Sequence, residues 1–454
     1  MNSKAYISVM IERSRKAQKV FEGFDQQQVD NVVKEIAKVV YDNAEELARM
    51  AVEETRMGVY EDKVKKNRGK PSIIWNSIKN KKSVGIISHN EETGIIEVAK
   101  PMGVIGLVTP CTNPVVTPMC NAMFALKGRN SVIISPHPRA KKCTRYIVDL
   151  FNNAIKKYNV PEDLIQTIDE PSIELTNELM KNVDVVVATG GMGMVKSAYS
   201  SGKPSYGVGA GNVQCIIDRD VDFKEAVPKI IAGRIFDNGI ICSGEQSIII
   251  HEDNYDEIIS EFKENGAYYT EDKSEVDAIR SALFPNGAMN KNLAGQSIQK
   301  VADVAGITIP EGTKVILAKA EGIGEADALG EEKMCSVIAV YKYKTFKEAV
   351  DIANANLDVT GKGHSISLHS YNKENIEYAG KNIPVCRVLL NQVCATMNGG
   401  SFFNGLTPTT TLGCGSWGNN SISENLDYKH LINITRIAHY MKDAIVPTDE
   451  ELWG

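Results

Sequence analysis

The feature that most constrains the fold is a repeated alternation of short apolar runs with longer amphipathic stretches, which begins near residue 103. The first four apolar runs are GVIGLVTP, NSVIISPHP, LIQTID and VDVVVATGG, and a helical pattern follows each of them. Short apolar runs of this kind are typical of strands buried on both faces, and strands that alternate with helices form parallel sheets. The sequence therefore predicts an α/β fold with a doubly wound sheet, in which ligands bind at the carboxyl ends of the strands.

A second series of the same kind starts near Gln214 and includes VQCIID, QSIIIH, KVILAKA and VIAVYKY. A chain of 454 residues is too long for one hydrophobic core, so the two series indicate two domains. We place the first domain at residues 1–215 and the second at residues 216–400. The remaining segment, residues 401–454, is predicted to return to the first domain.

The part of the chain before the first series contains two helical stretches and one hairpin. Apolar residues recur every three or four positions in residues 26–55 and again around residues 64–78. Two β-rich runs then flank the turn sequence NEETG, which predicts a hairpin over about residues 83–100. Because an amphipathic hairpin that leaves its domain often joins a partner sheet, we expect a homodimer or a dimer of dimers. The C-terminal segment is expected to contribute to the interface between the subunits.

Composition excludes several classes of protein. The formal net charge is -6 and Lys and Arg are spread along the chain, whereas nucleic-acid binding needs a concentrated basic face. No apolar run reaches the roughly 18 residues of a membrane span, and the N-terminus has no signal-peptide pattern. Nine cysteines without a CxxC pair argue against a disulfide framework or a zinc ribbon. We therefore expect a cytoplasmic protein with no nucleic-acid or membrane partner and no metal.

Two strand ends have features of a nucleotide site. In VDVVVATGGMGMVKSA, Gly190 and Gly191 would let amides at a helix start approach a phosphate, although the spacing is not GxGxxG. A tight βα turn without a ligand is the alternative. In NSVIISPHPRAKK, Ser135 and His137 stand where a ribose could bind. The basic residues that follow, Arg139, Lys141 and Lys142, have no carboxylate among them and would suit a 2′-phosphate, or would simply form a solvated helix start.

Cys242 lies in FDNGIICSGEQSIII, residues 236–250, after a helix and an Asn-Gly turn and before an apolar strand. A nucleophilic thiol needs exposure and neighbours that favour the thiolate, and a turn between a helix and a strand can provide both. Taken alone, the pattern also fits a cysteine of the hydrophobic core.

The order of several motifs along the chain resembles the aldehyde dehydrogenase superfamily. These motifs are TP-x-TNP, SPHP, ATGG, GVGAGN, NGxxCSGEQ, EEKMCSV and TPTTTLGCGSWGNNSISEN. The acylating, coenzyme-A-dependent branch is the most similar, including the aldehyde dehydrogenase half of bifunctional aldehyde-alcohol dehydrogenases, without their iron-dependent half. Segments VYEDKVKKN, NPVVTPMCNA and VPTDEELWG resemble members that act on succinyl-CoA.

The resemblance implies an aldehyde dehydrogenase fold, with a Rossmann-like domain for NADP or NAD and a catalytic cysteine domain. It makes Cys242 the nucleophile, Asn113 an oxyanion donor and Glu332 the group that holds the nicotinamide ribose. Ser336 departs from the family, which usually has proline there. The other cofactor residues that it implies are Ser135, His137, Pro138, Arg139, Thr189, Gly190, Gly191, Val208 and Gly209.

A second departure concerns the acyl acceptor. Hydrolytic members have a glutamate in an ELGGK-like segment that activates water, and we align Gly207 with that glutamate. Without a base, water attacks a thioester slowly, whereas a thiol ionises far more easily. The sequence therefore predicts coenzyme A as co-substrate. His364 in GKGHS either assists proton transfer from that thiol or shapes the cofactor pocket, and a purely structural histidine is the alternative.

A succinyl group needs a cationic or hydrogen-bonding partner for its distal carboxylate. The helix around residues 65–75 offers Lys66, Arg68 and Lys70, and we choose Lys70 together with Ser243; a plain surface helix is the alternative. The predicted reaction is a reversible NAD(P)-dependent interconversion of succinyl-CoA with succinate semialdehyde and coenzyme A. The alternatives are an acylating enzyme for uncharged short-chain aldehydes, a non-acylating aldehyde dehydrogenase and a non-catalytic protein. Cys242, Asn113 and Glu332 together argue against the last.

Overall fold

The computed structural model describes residues 2–454, and its first elements are four helices. Residues 26–55, predicted as one helical stretch, form two helices that are separated at Asn43. Asp25 and Gln28 start the first of these with a reciprocal pair of side chain to backbone hydrogen bonds, which satisfies amides at the helix N-terminus. The four helices are α1 (Ser3–Phe21), α2 (Gln26–Asp42), α3 (Ala44–Thr55) and α4 (Tyr60–Ile78).

The first alternating series forms a five-stranded parallel sheet in the order β5-β4-β3-β6-β7. Its strands are β3 (Val104–Thr109), β4 (Ser131–Pro136), β5 (Ile165–Thr167), β6 (Val185–Thr189) and β7 (Ser205–Val208). The helices between and after them are α5 (Val116–Lys127), α6 (Lys141–Ile155), α7 (Ile173–Asn182) and α8 (Met192–Tyr199). Helices α2, α5 and α6 share one hydrophobic core with β3 and β4.

The second series forms a seven-stranded parallel sheet in the order β10-β11-β12-β9-β8-β13-β14. Its strands are β8 (Val213–Ile217), β9 (Glu245–His251), β10 (Ala267–Thr270), β11 (Val315–Lys319), β12 (Val337–Tyr343), β13 (Ile366–His369) and β14 (Val388–Leu390). Its helices are α9 (Phe223–Ile235), α10 (Tyr255–Glu264), α11 (Lys273–Leu283), α12 (Ile298–Ala305), α13 (Phe346–Val359), α14 (Lys373–Asn382) and α15 (Cys394–Met397). These two parallel sheets confirm the α/β prediction, while the domain limits at residues 215 and 400 stay predictions.

The predicted hairpin is present and acquires a third strand from the end of the chain. Strands β1 (Gly85–Asn90) and β2 (Ile95–Pro101) are antiparallel, and β15 (Ile432–Ala438) pairs with β2 along its whole length. The chain then ends in α16 (Asp449–Trp453). Large apolar side chains remain exposed on these elements and in the segment between β15 and α16, among them Ile86, Ile437, Tyr440 and Trp453.

The predicted location of the protein depends on its membrane-spanning segments and on the state of its cysteines. Within residues 2–454, no helix has the length and apolar character needed to cross a membrane. All nine cysteines are free thiols, and six of them are buried. The cytoplasmic location stays a prediction.

Candidate active site

A cavity of about 300 Å³ lies between the two parallel sheets and contains the predicted nucleophile. Asn113 reaches it from the loop that follows the carboxyl end of β3, and Cys242 reaches it from the turn that precedes β9. Lys70 of α4 lines a third side, and Gly399 and Thr409 line the side formed by the C-terminal part of the chain. The tertiary structure thus brings residues 70, 113 and 242 to one cavity.

The turn that carries Cys242 reverses the chain by means of left-handed backbone. Asp237 and Asn238 both have φ of 54°, a conformation that Asp and Asn tolerate better than most residues. The Asp237 carboxylate is buried and accepts hydrogen bonds from the Val59 amide at 2.8 Å and from Lys63 Nζ at 3.0 Å. These contacts fix the turn, and with it the position of Cys242, against the start of α4.

Cys242 is half-buried, and its thiol is neutral at rest. Burial, Glu332 and Cys414 raise its pKa to about 12, and the Arg387 guanidinium offsets only part of that rise. The thiol must therefore lose its proton as it attacks a carbonyl carbon.

Two free hydrogen-bond donors face the same cavity. Lys66 Nζ donates to Asn113 Oδ1 at 2.6 Å, which leaves the Asn113 amide nitrogen without a protein acceptor in residues 2–454. The Cys242 backbone amide also donates to no other protein group in that range. A side-chain amide and a backbone amide beside a nucleophile form the kind of site that stabilises a tetrahedral oxyanion.

Glu332 is half-buried beside Cys242, which is consistent with the predicted place of a ribose-binding carboxylate. Burial raises the pKa of its carboxyl group to about 7, against the opposing effects of the Gly211 backbone amide, Arg234 and Lys333. A carboxyl group with this pKa exists in both protonation states near neutral pH. It can therefore donate or accept a hydrogen bond near Cys242.

His364 is fully buried behind the nucleophile. Burial and the nearby Arg387 lower its pKa to about 3, so the imidazole is neutral, and its Nδ1 pairs with Ser365 Oγ at 2.9 Å. A side-chain carbon at Gly211 would lie 2.1 Å from the Cys242 carbonyl oxygen and 3.2 Å from the His364 ring. Only glycine fits between the two, and His364 Nε2 has no hydrogen-bond partner within residues 2–454. The roles predicted for His364, in proton transfer, in the cofactor pocket or purely structural, stay predictions.

The glycine turn after β6 fits a pyrophosphate. Gly191 caps the N-terminus of α8, and no atom outside their immediate neighbours lies within 4 Å of a side-chain carbon built at Gly191 or Gly193. The Gly190 amide donates a hydrogen bond to the Val208 carbonyl at 3.2 Å. The first amides of α8 face open space, and a helix N-terminus of this kind attracts phosphate oxygens. Thr189 ends the strand that leads into this turn.

Gly209 allows the loop after β7 to pass α8, because a side-chain carbon there would lie 2.3 Å from Met192 Sδ.

The residues predicted to bind the ribose divide into two groups. His137, Pro138 and Arg139 are exposed at the end of β4, where a ligand can reach them. Ser135 is buried and its hydroxyl pairs with Thr176 of α7 at 2.8 Å, so its ribose contact stays a prediction.

The start of α6 has no carboxylate in its own sequence but contacts carboxylates from other segments. Glu54 of α3 accepts hydrogen bonds from the amides of Lys142 at 2.9 Å and Cys143 at 2.7 Å. Lys141 forms a salt bridge with Glu170. Because Glu54 lies 88 residues before Lys142 in the chain, no local pattern could have indicated it.

The residue of β7 whose side chain packs near the nucleophile is Val208, whereas the alignment of the missing glutamate with Gly207 stays a prediction. Val208 is buried in a cluster with Leu412 and Cys414, against which Cys242 packs. A side-chain carbon at Gly207 would point at α8, 2.9 Å from both Val195 and Tyr199. Since neighbouring residues of a strand face opposite sides, only the Val208 side chain reaches the cysteine. The conclusion that this position has no base is unchanged.

Val208→Glu is therefore expected to release free acid from the acylated enzyme in the absence of coenzyme A. A carboxylate beside the thioester can activate water, and general-base catalysis should raise hydrolysis by at least about tenfold. The measurement is acid formation from the aldehyde with NAD(P) alone. In Gly207→Glu the new carboxylate should clash with α8 and lower the melting temperature without faster hydrolysis. If Gly207→Glu alone hydrolyses the thioester, the original alignment is right.

Of the residues considered for the acyl carboxylate, Lys70 is the one that lines the cavity with an ammonium group free of a salt bridge within residues 2–454. Its Nζ donates to the carbonyls of Gly399 at 3.2 Å and Thr409 at 3.4 Å. Arg68 points away from the cavity and pairs with Glu45 at 2.7 Å. Ser243 lines the cavity, but its hydroxyl proton is committed to the Ala395 carbonyl at 3.0 Å, and the lone pairs that remain would repel a carboxylate.

The two sheets, the cysteine turn and the glycine turn define an aldehyde dehydrogenase. The profile of the aldehyde dehydrogenase family matches residues 2–305, and the chain belongs to this family. It is 55% identical over 454 residues, 100% of both chains, to succinate-semialdehyde dehydrogenase (acetylating) of Clostridium kluyveri.

Other relatives extend the likeness to acylating enzymes. The chain is 40% identical to sulfoacetaldehyde dehydrogenase (acylating) of Bilophila wadsworthia, over 99% of this chain and 98% of that one. It is also 40% identical to bifunctional aldehyde-alcohol dehydrogenase of Escherichia coli, over 96% of this chain and 49% of that protein. The crystal structure of an acetylating aldehyde dehydrogenase from Geobacillus thermoglucosidasius superposes with a TM-score of 0.94 at 37% identity, covering 98% of each chain. The predicted resemblance to the acylating branch is confirmed.

Proposed function

We propose that the protein reversibly reduces succinyl-CoA with NADPH or NADH to succinate semialdehyde and coenzyme A. The observation that carries this proposal is Lys70. Its ammonium group lines the cavity of Cys242 and forms no salt bridge within residues 2–454. Burial lowers its pKa to about 8, an effect that Lys66 strengthens. A partly buried ammonium that only carbonyl groups contact is poorly compensated, and the distal carboxylate of a succinyl group would supply the missing charge.

The proposed reaction begins with transfer of the acyl group to the protein. Cys242 loses its thiol proton as it attacks the thioester carbonyl of succinyl-CoA. A carbon–sulfur bond to Cys242 forms, the bond to the coenzyme A sulfur breaks, and coenzyme A leaves as the thiol after taking up a proton. The amides of Asn113 and Cys242 hold the oxyanion of the tetrahedral intermediate. The apolar Val208 provides no base for water, so the thioester on Cys242 persists.

The glycine turn, the α8 N-terminus and Glu332 fit a nicotinamide dinucleotide, which when bound supplies the hydride. The carbonyl oxygen would become negatively charged as the thioester carbon is reduced, and the same two amides of Asn113 and Cys242 would hold it. Cleavage of the bond to sulfur then releases succinate semialdehyde and restores the Cys242 thiolate. In the opposite direction the same residues add Cys242 to the aldehyde, and coenzyme A accepts the acyl group.

A panel of acyl-CoAs tests the proposal, with NADPH or NADH and nicotinamide absorbance as the signal. We expect the highest kcat/KM with succinyl-CoA, at least about tenfold above butyryl-CoA, because only succinyl-CoA brings a carboxylate to Lys70. Equal values for the two would contradict the proposed substrate and favour an acylating enzyme for uncharged aldehydes. Acid formation without coenzyme A at a comparable rate would favour a non-acylating enzyme.

A distal sulfonate is the second candidate group, because Lys70 would attract any anion at that distance and one relative is a sulfoacetaldehyde dehydrogenase. Sulfoacetaldehyde with coenzyme A and NAD(P) is therefore included in the panel. A higher kcat/KM for it than for succinate semialdehyde would assign the site to sulfonates.

We also propose that two copies of the chain associate through the three-stranded sheet. The exposed apolar side chains of β1, β15 and the C-terminal residues support a partner there, and Ile86 and Trp453 are examples. Sedimentation of the full chain and of Ile86→Lys would show a dimer or tetramer that dissociates in the variant.

A further inference from the structure

We infer that Lys66 is a positioning residue that holds the Asn113 amide in the one orientation that can stabilise an oxyanion. The inference rests on the proposed chemistry at Cys242. Lys66 Nζ lies 2.6 Å from Asn113 Oδ1. An ammonium group only donates hydrogen bonds, so the amide oxygen of Asn113 must face it. The two N–H groups of Asn113 therefore face the other way, into the cavity that Cys242 shares.

Lys66 is itself held in place by the turn that precedes the nucleophile. It donates to the Asp237 carboxylate, and its side chain is only 10% exposed. Asp237 also accepts from Lys63, and although burial opposes it, the two ammonium groups keep the pKa of its carboxyl below the usual value. One chain of contacts thus joins the turn of Cys242 to Lys66 and then to Asn113.

This arrangement has two consequences for the oxyanion. First, the Asn113 donor is linked through Lys66 to Asp237, which belongs to the turn that precedes Cys242. Second, Lys63, Lys66 and Asp237 together carry one net positive charge, which lies on the oxygen side of the Asn113 amide. A neutral amide polarised by a cation at its oxygen is a stronger donor through its nitrogen, so Lys66 strengthens the contact as well as directing it.

A double-mutant cycle tests this role. Lys66→Met is expected to lower kcat by about tenfold to a hundredfold with succinyl-CoA and butyryl-CoA alike, with little change in KM, since a lost oxyanion donor costs about that much or more. In an Asn113→Ala background the same substitution should cost less than about twofold, because its target is gone. Equal losses in both backgrounds, or a rise in KM confined to succinyl-CoA, would overturn the inference.

Two chemical probes separate this inference from the proposed function. Acylation of the enzyme by p-nitrophenyl acetate passes through an oxyanion, whereas alkylation of Cys242 by iodoacetamide does not. We expect Lys66→Met to slow the first by about the factor seen in kcat and to leave the second unchanged. A parallel slowing of both would mean that Lys66 only supports the turn. If the wild type reduces no acyl-CoA, the proposed function fails, while this comparison still decides the role of Lys66.

Matched variants control for folding. Lys66→Arg keeps the charge and the donors and should recover most of the kcat lost in Lys66→Met. Arg68→Met lies on the same helix but faces Glu45 at the surface, so it should leave both probes unchanged. If Lys66→Arg is as impaired as Lys66→Met at an unchanged melting temperature, orientation by a cationic donor is excluded.

Discussion

Replacement of Cys242 by alanine is expected to abolish the NAD(P)H-dependent reduction of every acyl-CoA, by a factor of at least about 10⁴ in kcat. The expectation follows from covalent catalysis, because no other thiol can form the thioester at the cavity. Among the nine cysteines of the described chain, Cys242 alone lines that cavity. The measurement is nicotinamide absorbance over the acyl-CoA panel.

Mass spectrometry gives the second measurement on this variant. Wild-type protein incubated with succinyl-CoA and no reductant should gain the mass of one succinyl group, located on the peptide that contains Cys242. Cys242→Ala should gain none. Cys111→Ala serves as the control, because this thiol is also half-buried but packs against Met57 outside the cavity, and it should remain active. Full activity in Cys242→Ala would contradict the proposed mechanism.

Lys70→Met is expected to remove the preference for a charged acyl chain. With succinyl-CoA, kcat/KM should fall about tenfold to a hundredfold, because a charge-assisted hydrogen bond contributes roughly 1.5–3 kcal/mol. With butyryl-CoA it should be unchanged or higher. The melting temperature of the ligand-free variant should rise, since burial disfavours the Lys70 ammonium and the substitution removes that cost. A fall in kcat/KM with both succinyl-CoA and butyryl-CoA would show that Lys70 does not bind the distal carboxylate.

The pH dependence of the same preference gives an independent measurement. The pKa of Lys70 is lowered from 10.5 to about 8, so its charge is present below that pH and is lost as the pH rises through it. The ratio of kcat/KM for succinyl-CoA to that for butyryl-CoA should therefore fall above pH 8 in the wild type. Lys70→Arg stays charged over this range and should show a flat ratio. A flat ratio in the wild type would contradict the assignment.

The sequence predicts those features that depend on residues close together in the chain. The alternation of strands and helices, the glycine turn after β6 and the cysteine turn before β9 are local patterns, and each lies where it was predicted. The direction of individual side chains was less predictable. Arg68 and Lys70 are two residues apart on α4, about 200° around the helix, and only the packing of that helix decides which one faces the cavity.

Contacts between distant segments were beyond the reach of sequence patterns. Strand β15 pairs with β2 across more than three hundred residues, and Glu54 of α3 occupies the start of α6. The strand faces of Ser135 and Val208 likewise depend on which helix covers each side of the sheet. A strand presents alternate residues to two faces, but the sequence does not state what lies against each face.

The sequence by itself determined the class of fold, because this follows from local periodicity, and its short motifs predict the nucleophile and the absence of a base for water through their resemblance to a family. The tertiary structure decided which lysine carries an uncompensated charge beside Cys242 and which one orients Asn113. The roles of both lysines depend on distances between α4, the loop after β3 and the turn that carries Cys242. Only the folded chain brings these three segments together, and electrostatic and hydrogen-bond interactions act over those distances and not along the sequence.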